Sequence, residues 1–147
     1  MSLILALTAA AAAFTSPGQE PSDWRQIDDT DGYHTALDLS SIEGPRSART
    51  ARTVSVSADP TELTGYVILS LVVDCAAQTL GAYHAAFFDA DGQMLMDGEA
   101  PVEPEPVSEE GGTLTLARAV CDGEAPASPG FGSAQAYAQS IRASAGS

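Results

Sequence analysis

The sequence predicts an α+β domain, an antiparallel β-sheet in a meander with a short C-terminal helix tethered to it by a disulfide. Three observations lead there. About six alternating or apolar segments between Trp24 and Met96 are separated by turns too short for crossover helices, so neighbouring strands run antiparallel. Cys75 and Cys121 are the only cysteines. The segment ending in the second of them reads as a helix that turns the cysteine inward.

The first segment is not part of the domain. "MSLILALTAAAAAFTSPGQE" carries no acid or base before Glu20, and a short apolar run from Leu3 leads to an A-x-A site at Ala11–Ala13. That is the pattern of a secretory signal over 1–13 with cleavage before Phe14. The run falls short of the roughly 20 apolar residues that span a bilayer. With no cysteine before Cys75, no lipid-anchored cysteine is expected. Residues 14–23 form a linker, 24–122 the domain, and 123–147 an Ala/Gly/Ser-rich tail. The expected location is the periplasm or the cell surface of a Gram-negative bacterium.

"WRQI" and "YHTALDLSSI" read as two strands around an Asp-Gly turn in "DDTDG". "TARTVSVSA" alternates, with Val54 and Val56 on one face, and Asp59-Pro60 ends it. "GYVILSLVVDC" is the strongest strand. Val67, Leu69, Leu71, Val73 and Cys75 share one face, while Tyr66, Ile68 and Val72 occupy the other, so it is central and covered on both sides. "TLGAYHAAFF" follows, and strict alternation splits Tyr83 and Phe87 from Leu80 and Phe88. The turn Asp89-Ala90-Asp91-Gly92 then leads to "QMLM". "PVEPEPVSEEGG" is irregular because prolines and charges break any pattern.

"TLTLARAVC" has two readings. As a strand it puts Cys121 on the face of Thr113 and Thr115; as a helix it aligns Leu114, Ala117 and Cys121. The helix is the expected state. In the tail, "SAQAYAQSIRA" forms one more helix with Ala134, Tyr137, Ala138 and Ile141 as a narrow apolar stripe. One short helix near Cys121 covers one face of the sheet only. Either the tail stripe covers the other or a further chain does, a second copy included. The thin, Gly-interrupted tail favours the further chain.

Charge and cysteine usage narrow the function. The chain carries 20 acidic residues against six arginines and no lysine, a net charge of −14. Such a surface repels phosphate backbones and anionic headgroups, which disfavours nucleic acid and anionic membrane surfaces as partners. Two lone cysteines in an exported chain are most simply a disulfide. Asp74 beside Cys75 raises rather than lowers a thiol pKa, and no C-x-x-C is present.

No cofactor is expected. Zinc needs about four ligands at short spacing, whereas the only histidines are His34 and His84. Read as a calcium loop from Asp89, the chain has Met94 where glycine belongs and Ala100 where the bidentate Glu belongs. A Ser-His-Asp set can be written with either histidine, yet no G-x-S-x-G occurs, and "GFGSA" sets its serine one place late. Arg46, Arg49 and Arg52 are the candidate binding residues: half of the positive charge lies within seven residues, and arginine docks carboxylates bidentately. The plainer alternative is a solvated strand entry that blunts a sheet edge.

Trp24 on the first strand, Asp38 with Ser41-Ile42, Asp74-Cys75, Phe87-Phe88-Asp89-Ala90-Asp91-Gly92 and Cys121 together resemble the surface-adhesin E-like family of Gram-negative bacteria. The likeness spans roughly Trp24 to Cys121. It departs at Gln78, Thr79 and Leu80, where the family has Arg or aromatic residues, and at "PVEPEPV", where it often has a second Trp. The resemblance implies an antiparallel sheet with a disulfide-tethered helix, export, and non-catalytic binding of a protein or envelope component. A small periplasmic hydrolase and a purely structural envelope protein are the alternatives.

Overall fold

Seven strands and two helices follow one another along the chain in the computed structural model, which describes residues 21–147. The signal expected over 1–13, and the linker up to residue 20, lie outside the described residues. The strands are β1 (Trp24–Thr30), β2 (Tyr33–Glu43), β3 (Arg49–Ser57), β4 (Tyr66–Asp74), β5 (Thr79–Phe88), β6 (Met94–Glu99) and β7 (Glu105–Pro106). The helices are α1 (Gly112–Asp122) and α2 (Ala134–Ala145). The sheet is an antiparallel meander in the order β1-β2-β3-β4-β5-β6, with β7 also paired to β5.

Turn chemistry sets the path. Asp31 and Gly32 both adopt positive φ, 56° and 79°, the tight hairpin geometry that matches the twist of the flanking strands. β1 therefore runs beyond the "WRQI" of the sequence reading, and a bulge at Ile27 lets it stay paired through Asp28, Asp29 and Thr30. At the β5–β6 turn Asp89 Oδ1 accepts from the backbone N–H groups of Asp91 and Gln93, and Gly92 takes φ 84°. The proline-rich stretch is less irregular than expected. Pro106 sits on the short edge strand β7, where a residue without an N–H is tolerated.

The two faces of the sheet carry separate cores. On one, α1 packs over β1, β2 and β3 and reaches the Leu71–Cys75 end of β4. Leu37, Val73 and Val120 are buried there with Cys121, so the helical reading of "TLTLARAVC" holds. The Cys75–Cys121 disulfide joins α1 to the end of β4, with Cα atoms 5.6 Å apart. On the other face α2 buries Ala134, Tyr137 and Ala138 against Trp24, Ala36, Val54, Val56 and Tyr66.

That second core corrects the expectation that a further chain would cover this face of β4: over Tyr66 and Ile68 the tail does so itself. The stripe is thin, but each end of α2 is fastened. The Ser133 hydroxyl accepts from Ala136 N as an N-cap, Gln135 Nε2 donates to the Asp91 carbonyl, and Arg142 donates to the Thr64 carbonyl. The backbones of Trp24 and Phe131 exchange two hydrogen bonds, which brings the tail onto β1.

A second correction concerns β5. A register shift at Tyr83 interrupts the alternation. Leu80 pairs with Val73 before the shift and Phe87 with Val67 after it, so both face the α1 side, while Phe88 stacks on Tyr66 on the α2 side at 4.8 Å. The bulge adds one residue and so reverses the parity that strict alternation assigns.

Burial raises the ionisation of the Tyr137 phenol far above the ordinary tyrosine value, with Asp29 adding to the shift, and burial also raises that of Tyr66. The folded chain keeps these protons after the unfolded chain has lost them. The associated stability is thus complete below the unfolded value of about pH 10 and is lost as pH rises above it. Urea midpoints measured across alkaline pH are expected to hold steady up to about pH 10 and fall beyond it. Tyr137→Phe should flatten the fall.

Candidate functional site

The three arginines do not converge. Arg46 lies in the β2–β3 connection, where its carbonyl accepts from Cys75 N at 2.8 Å and its guanidinium donates to the Cys121 carbonyl at 2.6 Å. It stitches both cysteines to the turn and places a cation at the C-terminal end of α1, where the helix dipole favours one. Arg49 pairs with Val73 on the α1 side of the sheet, and Arg52 pairs with Ser70 on the other. Alternation separates Arg49 from Arg52 across the sheet.

Arg52 belongs to a built arrangement. Asp38 on β2 is fully buried and accepts from Asp23 N, Ser40 N, the Ser40 hydroxyl and Arg52 NH2, the last at 2.6 Å. A buried carboxylate needs such donors, because desolvation costs several kcal/mol when they are missing. β2 loses its register between Asp38 and Glu43, and there Ser41 Oγ donates to the Asp38 carbonyl and accepts from Arg52 N. The Arg52 guanidinium also lies 5.6 Å from the centre of the Trp24 ring. Its side chain remains 46 % exposed and borders an open polar groove of about 240 Å³, lined also by Glu43, Thr50, Ser70 and Tyr83.

The α1 side has an open half of opposite character. Among the described residues no helix packs over the β4–β6 end of this face, and Val67, Leu69, Ala85 and Phe87 are half-buried there. Met96, paired with Phe87, is 60 % exposed. Two cavities of about 210 and 320 Å³ open on the same face, beside the start of α1 and beside residues 100–105, and both are floored by Leu69, Leu71 and Leu80. Asp28, Glu103 and Glu105 are the charged residues among their walls.

Neither histidine lines the groove or the two cavities. His34 Nδ1 is 3.6 Å from Asp29, and His84 Nε2 is 3.4 Å from Asp97 across the β5–β6 pair. Among the described residues no cluster of three or more His, Cys, Asp or Glu side chains is placed to hold a metal ion, and no helix is long and apolar enough to cross a membrane.

Two of these features escape sequence reasoning for stated reasons. Phe87 joins the Leu69 face only because of the bulge at Tyr83. Asp38 is buried in regular register, two residues after Ala36 on the same face, but a buried acid is not what the polarity of the residue assigns to that position. The exposure of Met94, Leu95 and Met96 does have a sequence signal: "QMLM" lacks the alternation of a strand with one face in the core. Compared with family models, curated proteins and solved structures, the chain matches none.

Proposed function

We propose that this chain is an exported, non-catalytic domain that binds a protein or envelope component, the role implied by its resemblance to the surface-adhesin E-like family. The half-covered α1 face carries the reading. Among the described residues, the two helices folded onto the sheet leave Val67, Phe87 and Met96 outside both cores, with Leu69 at the margin of one, and open apolar surface of this kind marks an interaction site. The disulfide supports export, since such bonds persist in oxidising compartments. Within this reading Arg46 serves the fold, since its guanidinium is committed to the end of α1. Arg52 is the one of the three that lines an open groove, where its free edge suits a carboxylate.

A photo-crosslinking side chain at Met96, in protein expressed in its host, tests both halves of the proposal. The mature protein is expected to begin at Phe14 and to crosslink to a partner from the envelope fraction. The same probe at exposed Glu62, on the far side of the fold beside α2, should give none. A chain that keeps Met1 in the cytoplasm, or equal labelling from both positions, overturns the reading.

A further inference from the structure

We infer that the open half of the α1 face seats an amphipathic helix of a cationic partner protein, beside α1 and in the same layer. The inference rests on the binding role proposed above and names the partner's chemistry. The space available fits one helix. The strip spans β4, β5 and β6, and two interstrand spacings of about 4.8 Å give a width of about 10 Å, the diameter of a helix with its side chains. On one flank lies α1, beginning at Gly112, and on the other the segment 100–105.

The floor is apolar and continuous. Val67 and Leu69 follow one another along β4, Phe87 and Ala85 pair with them from β5, and Met96 pairs with Phe87 at the sheet edge, while Leu71 and Leu80 floor the cavities at the α1 end of the strip. A helix offering apolar residues at i, i+3, i+4 and i+7 matches such a surface.

Charge selects the sign of the partner. The cavity walls hold the carboxylates of Asp28, Glu103 and Glu105, and none of the chain's six arginines lines them. With a net charge of −14 behind it, this rim attracts Lys- and Arg-bearing helices and repels acidic ones. It repels a second copy of this chain as well, since each copy brings the same rim and the same net charge. A cationic helix lays its apolar stripe on the leucines and reaches the carboxylates with its flanking side chains, whose stems add apolar contact.

The test uses the full mature chain and three synthetic helices: an amphipathic peptide of Leu and Lys, its scrambled isomer, and the same amphipathic pattern with Glu for Lys. Calorimetric titration is expected to give binding by the Leu/Lys peptide at least tenfold tighter than by the scrambled one, weakening as salt is raised, and none by the Leu/Glu peptide. Met96→Asp, at a position exposed enough to leave folding unchanged, should shift the Kd by severalfold, and Leu69→Asn by tenfold or more with its melting transition recorded as control. Equal binding of the scrambled peptide, or no effect of Met96→Asp and of a folded Leu69→Asn variant, overturns the inference. So does a dimer in sedimentation that buries Met96, since the occupant is then a second copy. If crosslinking at Met96 in the host succeeds while the peptides fail, the inference falls and the binding role stands. If both fail, both fall.

Discussion

A chain truncated after Gly123 is expected to aggregate rather than fold. Truncation removes α2 and Phe131, and with them the cover over Trp24, Val54, Val56 and Tyr66, which are otherwise at most 5 % exposed. Each large apolar side chain moved from the core to water costs about 1.5–3 kcal/mol, and four of them reach the 5–15 kcal/mol of a whole domain. The two backbone hydrogen bonds between Trp24 and Phe131 go as well, and leave β1 a bare edge. Light scattering of the truncated protein should show large, polydisperse species. A gentler version keeps the tail and changes one residue. Tyr137 is 1 % exposed, packs edge-on against Phe131, and donates its hydroxyl to Gln26. Tyr137→Ala should therefore destabilise the fold by about 3–5 kcal/mol, the range for deleting a buried aromatic ring. A soluble, monomeric truncated chain with an unchanged melting transition would show that α2 only decorates the sheet.

The same tail marks where sequence reasoning succeeds and where it stops. The stripe Ala134, Tyr137, Ala138 and Ile141 is legible because helical spacing needs only local information, and those residues do face the core. Its destination is not legible. Whether a thin stripe suffices depends on the fastenings at both ends, through Gln135 to the β5–β6 turn and through Arg142 to the β3–β4 connection, and these join residues 44 and 78 positions apart. Strand order was recoverable for a similar local reason: every connection in the meander is short, so sequence neighbours are spatial neighbours. Face assignment failed where a single bulge intervened, at Tyr83, because alternation carries one error through every later residue of the strand. The candidate arginines illustrate the limit for sites. Clustering along the chain put Arg46, Arg49 and Arg52 together, whereas strand geometry sends Arg49 and Arg52 to opposite faces and the turn commits Arg46 to α1.

Replacing both Cys75 and Cys121 by Ser is expected to lower stability by about 4 kcal/mol, the loop-closure entropy that the cross-link removes from the unfolded chain. The bond closes a sequence separation of 46 residues, which makes the effect large. For a domain of this size the shift in melting temperature is on the order of 15 °C. The native state adds a local reason to expect the full effect. α1 has only 11 residues, a glycine at its N-cap, no capping side chain and no acidic residue in its first turn. A helix that short is marginal in isolation, so packing and the disulfide hold it in place. Without the bond, α1 remains tied by the Arg46 contact to the Cys121 carbonyl and by the burial of Leu116 and Val120. Hydrogen exchange should accordingly speed up first in α1 and at the Leu71–Cys75 end of β4, while β1 and α2 on the other face keep their protection. A disulfide that only stabilises leaves crosslinking from Met96 intact in the folded Ser variant, because the open half of the α1 face is formed by β4–β6 and not by the cysteines. Loss of that crosslinking in a variant that still melts cooperatively would mean that α1 must stay clamped for the partner to seat beside it.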